Sequence, residues 1–393
     1  MIKKVTTGRF AGKYVVRTST RDQLGKRHFS PRKYVDSYQE AKEIESEDRI
    51  AFASGYIAAN GSMALWRYFE QWYLSNVEPY LETNSKNNYN TLIKRLRIDL
   101  PGKPLKFFDG NKTAIQLYFN SLGKRYATST VNKYRSFLSK AFSDAEYDGL
   151  IRKTPMLPSE NRIKTTGVDK GLFKPVASLS MDDASKLRNY FYEHTNLIHQ
   201  EYLTLLIMLE CGLRPSEAKA LQFDDLNVSR HLLHVHNTYV EQDNAIKPYT
   251  KTRSERNVPV SPQLEELIIS FSEDKQKRLA TYNISNEHNL MFRNDCPPTS
   301  RGDRLLSSGA NTGKVLRNVL SQLDIPLKTH DGLSITPKTL RATHDTILIQ
   351  KGISLDYIAR ISGHTIEIIH KHYHALLDEV ANAEADKVKG IWD

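Results

Sequence analysis

Cysteine is almost missing from this 393-residue chain: there are two, Cys211 and Cys296, and they never approach a CxxC spacing. That excludes a cysteine-based zinc site and a disulfide framework, and it suits a reducing compartment. Long apolar runs are missing too. The longest is "YLTLLIML" (202–209), too short to span a bilayer. The amino-terminal "MIKKVTTGRFAGKYVV" has no apolar stretch of the signal-peptide kind. A cytoplasmic protein with no membrane partner is expected. Generic enzyme signatures fail as well: there is no GxGxxG and no HExxH. "GANTGKV" (309–315) puts three residues between its glycines and valine after its lysine, so it cannot be a phosphate-cradling P-loop. No paired acidic cluster suggests a two-metal nuclease, and no cofactor is expected.

Acidic charge is short. Lys and Arg total 56 against 45 Asp and Glu, a formal charge of +11. Such an excess favours a polyanionic partner, nucleic acid before a membrane surface. It is concentrated at the amino terminus, where residues 1–35 hold ten Lys/Arg and the single acid Asp22. "KYVVRTST" alternates with β-branched residues, and "SYQEAKEIESEDRIAFASG" reads as a helix capped by Ser37. The expected unit is a small basic sheet packed by one helix over residues 1–56. Lys13, Arg17, Arg21, Lys26 and Arg27 are its candidate phosphate contacts.

Residues 60–157 read as a helical unit. "SMALWRYFEQWYLSNV" places Leu65, Trp66, Phe69, Trp72 and Tyr73 at helical spacing. In "TSTVNKYRSFLSKAF", Val131, Tyr134, Phe137, Leu138 and Phe142 share one face, while Lys133 and Arg135 lie off it as candidate DNA contacts. These aromatics are expected in the core. Residues 158–176 read as a basic linker rich in Pro, Gly and Lys. A third unit, 177–393, opens with a helix capped near Ser180.

Four stretches of this last unit carry reactive side chains. "ECGLRPSEAKAL" (210–221) sets Arg214 in a corner between a helix ended by Gly212 and one opened by Pro215. "IKPYTKTRSERNVPV" (246–260) follows the strand-like "HLLHVHNTYV", the two forming a hairpin around "EQDNA" with Lys251 in its returning arm or turn. "ITPKTLRATHDTILIQKG" (335–352) puts Lys338 and Arg341 three apart on one helical face. "GHTIEIIHKHYHAL" (363–376) holds His364 and Tyr373. There His370 and His374, four apart, could serve as metal ligands with His364 or His372, but no Cys or acid completes a set, and no metal is expected.

The order Arg, Lys, Lys-x-x-Arg, Gly-His, Tyr resembles the tyrosine recombinases, specifically integrases of phage or integrative elements. The likeness spans nearly the whole chain. It implies a multidomain, mainly α fold: an α/β arm-binding domain, an α-helical core-binding domain and a mixed, mainly helical catalytic domain. The two larger domains are expected to clamp duplex DNA. It implies a site-specific recombinase acting through a 3′-phosphotyrosyl intermediate, with Tyr373 as nucleophile. Arg214, Arg341 and His364 would hold the phosphate, and Lys251 would protonate the departing 5′ oxygen. The family usually has histidine where this chain has Lys338, which leaves Lys338 either a base or a phosphate clamp. Double-stranded DNA with core and arm sites, a homotetramer, a host DNA-bending protein and an excision factor are the implied partners, in the nucleoid of a bacterial cell. A type IB topoisomerase or a non-catalytic DNA-binding derivative would share parts of this pattern.

Overall fold

The computed structural model describes residues 2–21, 27–30, 32–53, 63–157, 162–170, 176–250, 254–295, 304–373 and 376–377. It is mainly helical with small sheets, and divides into two compact units, Met1–Phe173 and Lys174–Asp393.

In the first unit, β1 (Ile2–Lys4), β2 (Tyr14–Val16) and β5 (Lys33–Val35) form an antiparallel sheet in the order β1-β2-β5. β3 (Ser19–Arg21) and β4 (Arg27–Phe29) form a separate antiparallel pair. α1 (Tyr38–Ala53) begins where expected: the Ser37 hydroxyl accepts from the Glu40 amide at 3.0 Å. Its Ala41 packs with Val16 and Val35, a core of only a few side chains.

The rest of the unit is helical: α2 (Leu65–Asn76), α3 (Thr83–Asp99), α4 (Lys112–Gly123) and α5 (Thr128–Tyr147). The aromatic residues are core, as their spacing predicts. Leu65, Phe69, Trp72 and Tyr73 are buried, and Tyr89 stacks on Phe137 with ring centroids 3.8 Å apart. Trp72 keeps its indole N–H satisfied by donating to Asp144 at 2.6 Å. The stretch beyond α5 is held by the helices. Ile163 is buried among them, and the Lys164 amide donates to Gln116 at 2.9 Å.

The second unit is built around α7 (Gln200–Cys211), which is apolar on every side because neighbours cover every side. It packs against α6 (Met181–His194), α10 (Gly309–Gln322) and α11 (Pro337–Gln350). α8 (Pro215–Lys219, five residues), α9 (Pro262–Thr281) and α12 (Leu355–Ser362) also belong to this unit, and residues 366–373 are helical. "GANTGKV" lies inside α10, not in a loop.

The hairpin is only half as expected. The strand-like "HLLHVHNTYV" breaks into β7 (Leu232–Val235) and β8 (Thr238–Val240). β8 pairs with β9 (Ala245–Lys247) around the left-handed Asn244, while β7 pairs with β10 (Arg256–Pro259) and β6 (Leu226–Asn227). The chain changes sheet at His236–Asn237, where Asp225 accepts from His236 at 2.9 Å and buried Asn237 occupies the break. Lys251 lies outside the described residues. No described helix is long and apolar enough to cross a membrane.

Candidate active site

α7 ends at Gly212, whose φ of +64° is left-handed. A Cβ there would meet the His344 ring at 2.5 Å, so only glycine fits. The turn brings Arg214 to the N-cap of α8, with Pro215 pre-set for its first turn. α12 ends at a second left-handed glycine, Gly363, φ +61°. Its last carbonyls have no partner within the helix and lie at the negative end of its dipole.

Three arginines fill that end. Arg256 Nε donates to the Ile361 carbonyl at 2.7 Å, Arg341 Nη2 donates to the Ser362 carbonyl, and Arg214 Nη2 donates to the Gly363 carbonyl at 2.7 Å. Arg341 Nη1 also donates to the Gly212 carbonyl at 2.8 Å, tying the two glycine corners together. Beneath them Glu217 accepts from Arg214 Nη1 at 2.7 Å and from Arg256 Nη2 at 2.6 Å, with Arg341 Nη1 at 3.9 Å. Burial alone would raise the Glu217 pKa, but Arg256 and Arg214 outweigh it and hold it down to about 2. Burial, and then the nearby Arg214, push Arg341 down to about 10, so it is still a cation at neutral pH.

Asp345 follows Arg341 by one turn of α11 and has no solvent exposure. Its Oδ1 accepts from Ser362 Oγ at 2.5 Å, and its Oδ2 accepts from the Tyr373 hydroxyl at 3.2 Å. Burial opposes its charge, but the close approach of His364 and Ser362 and the Arg341 charge keep it below the usual carboxylate range. His364 Nε2 lies 2.9 Å from Arg341 Nη2 and 3.5 Å from Asp345 Oδ2. A guanidinium can only donate, so Nε2 accepts and a neutral ring carries its proton on Nδ1. Tyr373 is 8% exposed and packs with Ile349, Ile358 and Ile369. Burial, and then Asp345, raise its pKa.

Of the residues read from the sequence, Arg214, Arg341, His364 and Tyr373 thus meet in one pocket. Lys338 is exposed on the first turn of α11, on the same face as Arg341. His370 is exposed, and His374 lies outside the described residues. The candidate DNA contacts belong to the first unit. There Lys13 pairs with Asp36 at 2.9 Å, and Arg17 and Arg27 lie over the Phe29 ring at 4.3 and 5.6 Å. The backbone of Arg21 is in β3, and Lys26 lies outside the described residues. Lys133 donates to Asn88 at 3.1 Å, and Arg135 donates to the Ile163 carbonyl at 3.4 Å.

Three pocket residues escaped the sequence reading. Glu217 looks like an ordinary acid in a helix's first turn, and Arg256 is one cation among several in "KTRSER". Asp345 carried a usable signal, being the lone acid in "TPKTLRATHDTILIQ", four residues after Arg341.

The model described as "Phage integrase family" matches residues 178–379. Tyrosine recombinase XerD of Listeria monocytogenes is 24% identical over 235 residues, 60% of this chain and 67% of its own length. The transposase from transposon Tn916 of Enterococcus faecalis is 25% identical over 310 residues, 76% of this chain and 70% of its own. Among solved structures, the Tn1549 transposon integrase bound to transposon right end DNA superposes with a TM-score of 0.61 at 18% identity, over 83% of this chain and all of that one.

Proposed function

The chain belongs to the phage integrase family and is a tyrosine-type site-specific recombinase; from that premise we propose how its residues divide the work. Double-stranded DNA is the substrate, and the reaction integrates and excises a mobile element. A phosphodiester under attack gains negative charge, and fixed guanidiniums stabilise that charge without reorganising. Arg214 and Arg341 supply them, with His364 donating from Nδ1 and Tyr373 attacking phosphorus. Lys338 adds positive charge on the DNA-facing side of α11. Lys251, outside the described residues, is assigned the proton for the departing 5′ oxygen. The covalent phosphotyrosyl link keeps the bond energy, so rejoining needs no ATP.

The observation carrying this reading is the convergence of Arg214, Arg341, His364 and Tyr373, which span some 160 residues of sequence, around the end of one helix. The basic sheet of residues 1–56 would grip arm-type sites, residues 60–157 the core site, and 177–393 the scissile phosphate. Four copies would join two sites, aided by a DNA-bending protein and an excision factor. The test is a nicked suicide duplex carrying the core site. The wild-type chain should form a covalent protein–DNA adduct, and Tyr373→Phe should bind the duplex but form none. Supercoil relaxation without paired sites would favour a topoisomerase, and binding with no adduct from the wild type a non-catalytic derivative.

A further inference from the structure

An attacking phenol must lose its proton, and this chain has no histidine at the position where its family usually has one. Lys338, which stands there, is exposed, and a charged ammonium has no lone pair with which to accept. What touches the phenol is Asp345. One of its oxygens is fixed by Ser362 Oγ at 2.5 Å, and the other takes the Tyr373 hydroxyl at 3.2 Å. The side chain is fully buried on the same helical face as Arg341, so its position is set by packing. A carboxylate kept only for structure would spend both oxygens on fixed donors; here one oxygen is spent on the nucleophile.

We propose that Asp345 is a catalytic residue, the base that receives the proton of Tyr373 during strand cleavage and returns it during rejoining. The proposal rests on the recombinase reading above. As the Oη–P bond forms, the phenolic O–H bond breaks and its proton passes to Asp345 Oδ2. The P–O5′ bond breaks, and the 5′ oxygen takes a proton from a lysine ammonium or from water. Rejoining reverses each step: the 5′ hydroxyl attacks phosphorus, the P–Oη bond breaks, and Asp345 gives its proton back to Tyr373. A carboxylate is a weak base, so transfer comes late, once bonding to phosphorus has made the phenolic proton acidic. An aspartate serves a hydroxyl attacking phosphate in the same way in protein kinases. Arg341, His344, His364 and Tyr373 are the titratable groups facing it. The Arg341 charge and the Ser362 hydroxyl favour the ionised carboxylate, which is the accepting form.

The same negative charge also opposes a phosphate, which would make Asp345 slow attack instead, and single-turnover adduct formation on the suicide duplex separates the two roles. For the full-length Asp345→Asn variant, cleavage at pH 7 should slow roughly 10²–10³-fold, the range of a lost general base. Its rate should then climb about tenfold per pH unit from 7 to 9 as hydroxide takes over, while the wild type and Asp345→Glu stay nearly flat. A fluorinated tyrosine of lower pKa at position 373 should rescue the Asn variant more than it helps the wild type. An Asn variant as fast as the wild type, or faster, would overturn the proposal, as would a slowdown equal at every pH. If the Asn variant fails to bind duplex or melts early, the wild-type profile decides: a rate rising tenfold per pH unit would exclude an internal base. An adduct persisting in Tyr373→Phe would instead strike at the recombinase reading, and the proposal would fall with it.

Discussion

Glu217→Gln removes one charge and almost no volume, which makes it a clean probe of the arginine cluster. The glutamate has no solvent exposure and accepts from two guanidiniums. Its pKa is held near 2 against 4.5 for the free group, a difference worth about 3 kcal/mol of stability at neutral pH. A second route gives a similar size, since removing one partner from a buried ion pair typically costs about 3–5 kcal/mol. The pH dependence has a definite sign. A depressed folded-state pKa stabilises above the unfolded value, and that contribution is lost as pH falls through the folded value. The gap between wild type and variant should therefore be full above pH 5, reduced to less than half by pH 3 and nearly gone at pH 2. Of the three tryptophans, Trp66 and Trp72 belong to the first unit and Trp392 to the second, so tryptophan fluorescence would report on both halves at once. Native-state hydrogen exchange in peptides covering 213–221 and 337–350 reads the right one. Equal protection in variant and wild type at pH 7, or a gap that ignores pH between 5 and 3, would refute the account of how these arginines are held.

Two further substitutions probe the frame. Arg341→Lys keeps the charge but loses the planar fork that reaches Gly212, Ser362 and His364 together. Adduct formation should fall more than about 10²-fold, with duplex affinity by anisotropy changed only a few-fold. Gly212→Ala forces an unfavourable φ and drives a methyl into His344, so a loss of at least about 2 kcal/mol is expected in denaturant titration followed by circular dichroism.

The readable part of this chain was the part written in local chemistry. Ser37 and Ser180 cap helices where they were expected to, because a hydroxyl ahead of an amphipathic run has few other uses. Arg214, Arg341, His364 and Tyr373 were legible because their order and spacing form a pattern. Glu217 and Asp345 were not, since an acid on a helix is usually solvated and only tertiary packing makes these two buried partners. Arg256 was hidden among equivalent cations, and what singles it out is the β10 register opposite Val235, which points it beneath α12. The division of "HLLHVHNTYV" between two sheets was equally invisible, because alternation encodes which face is buried but not which neighbour is paired.

The acceptors at the end of α12 are main-chain carbonyls of three consecutive residues, 361 to 363. Side-chain exchange cannot delete them, so this stretch would look less important in a substitution survey than it is. Lengthening the chain is another matter. One residue inserted in α12 ahead of Ile361 would rotate that turn by about 100° and carry all three oxygens away from guanidiniums rooted in other elements. The cluster's acceptors are written into the path of the backbone, so a length change should disable it even with every side chain kept.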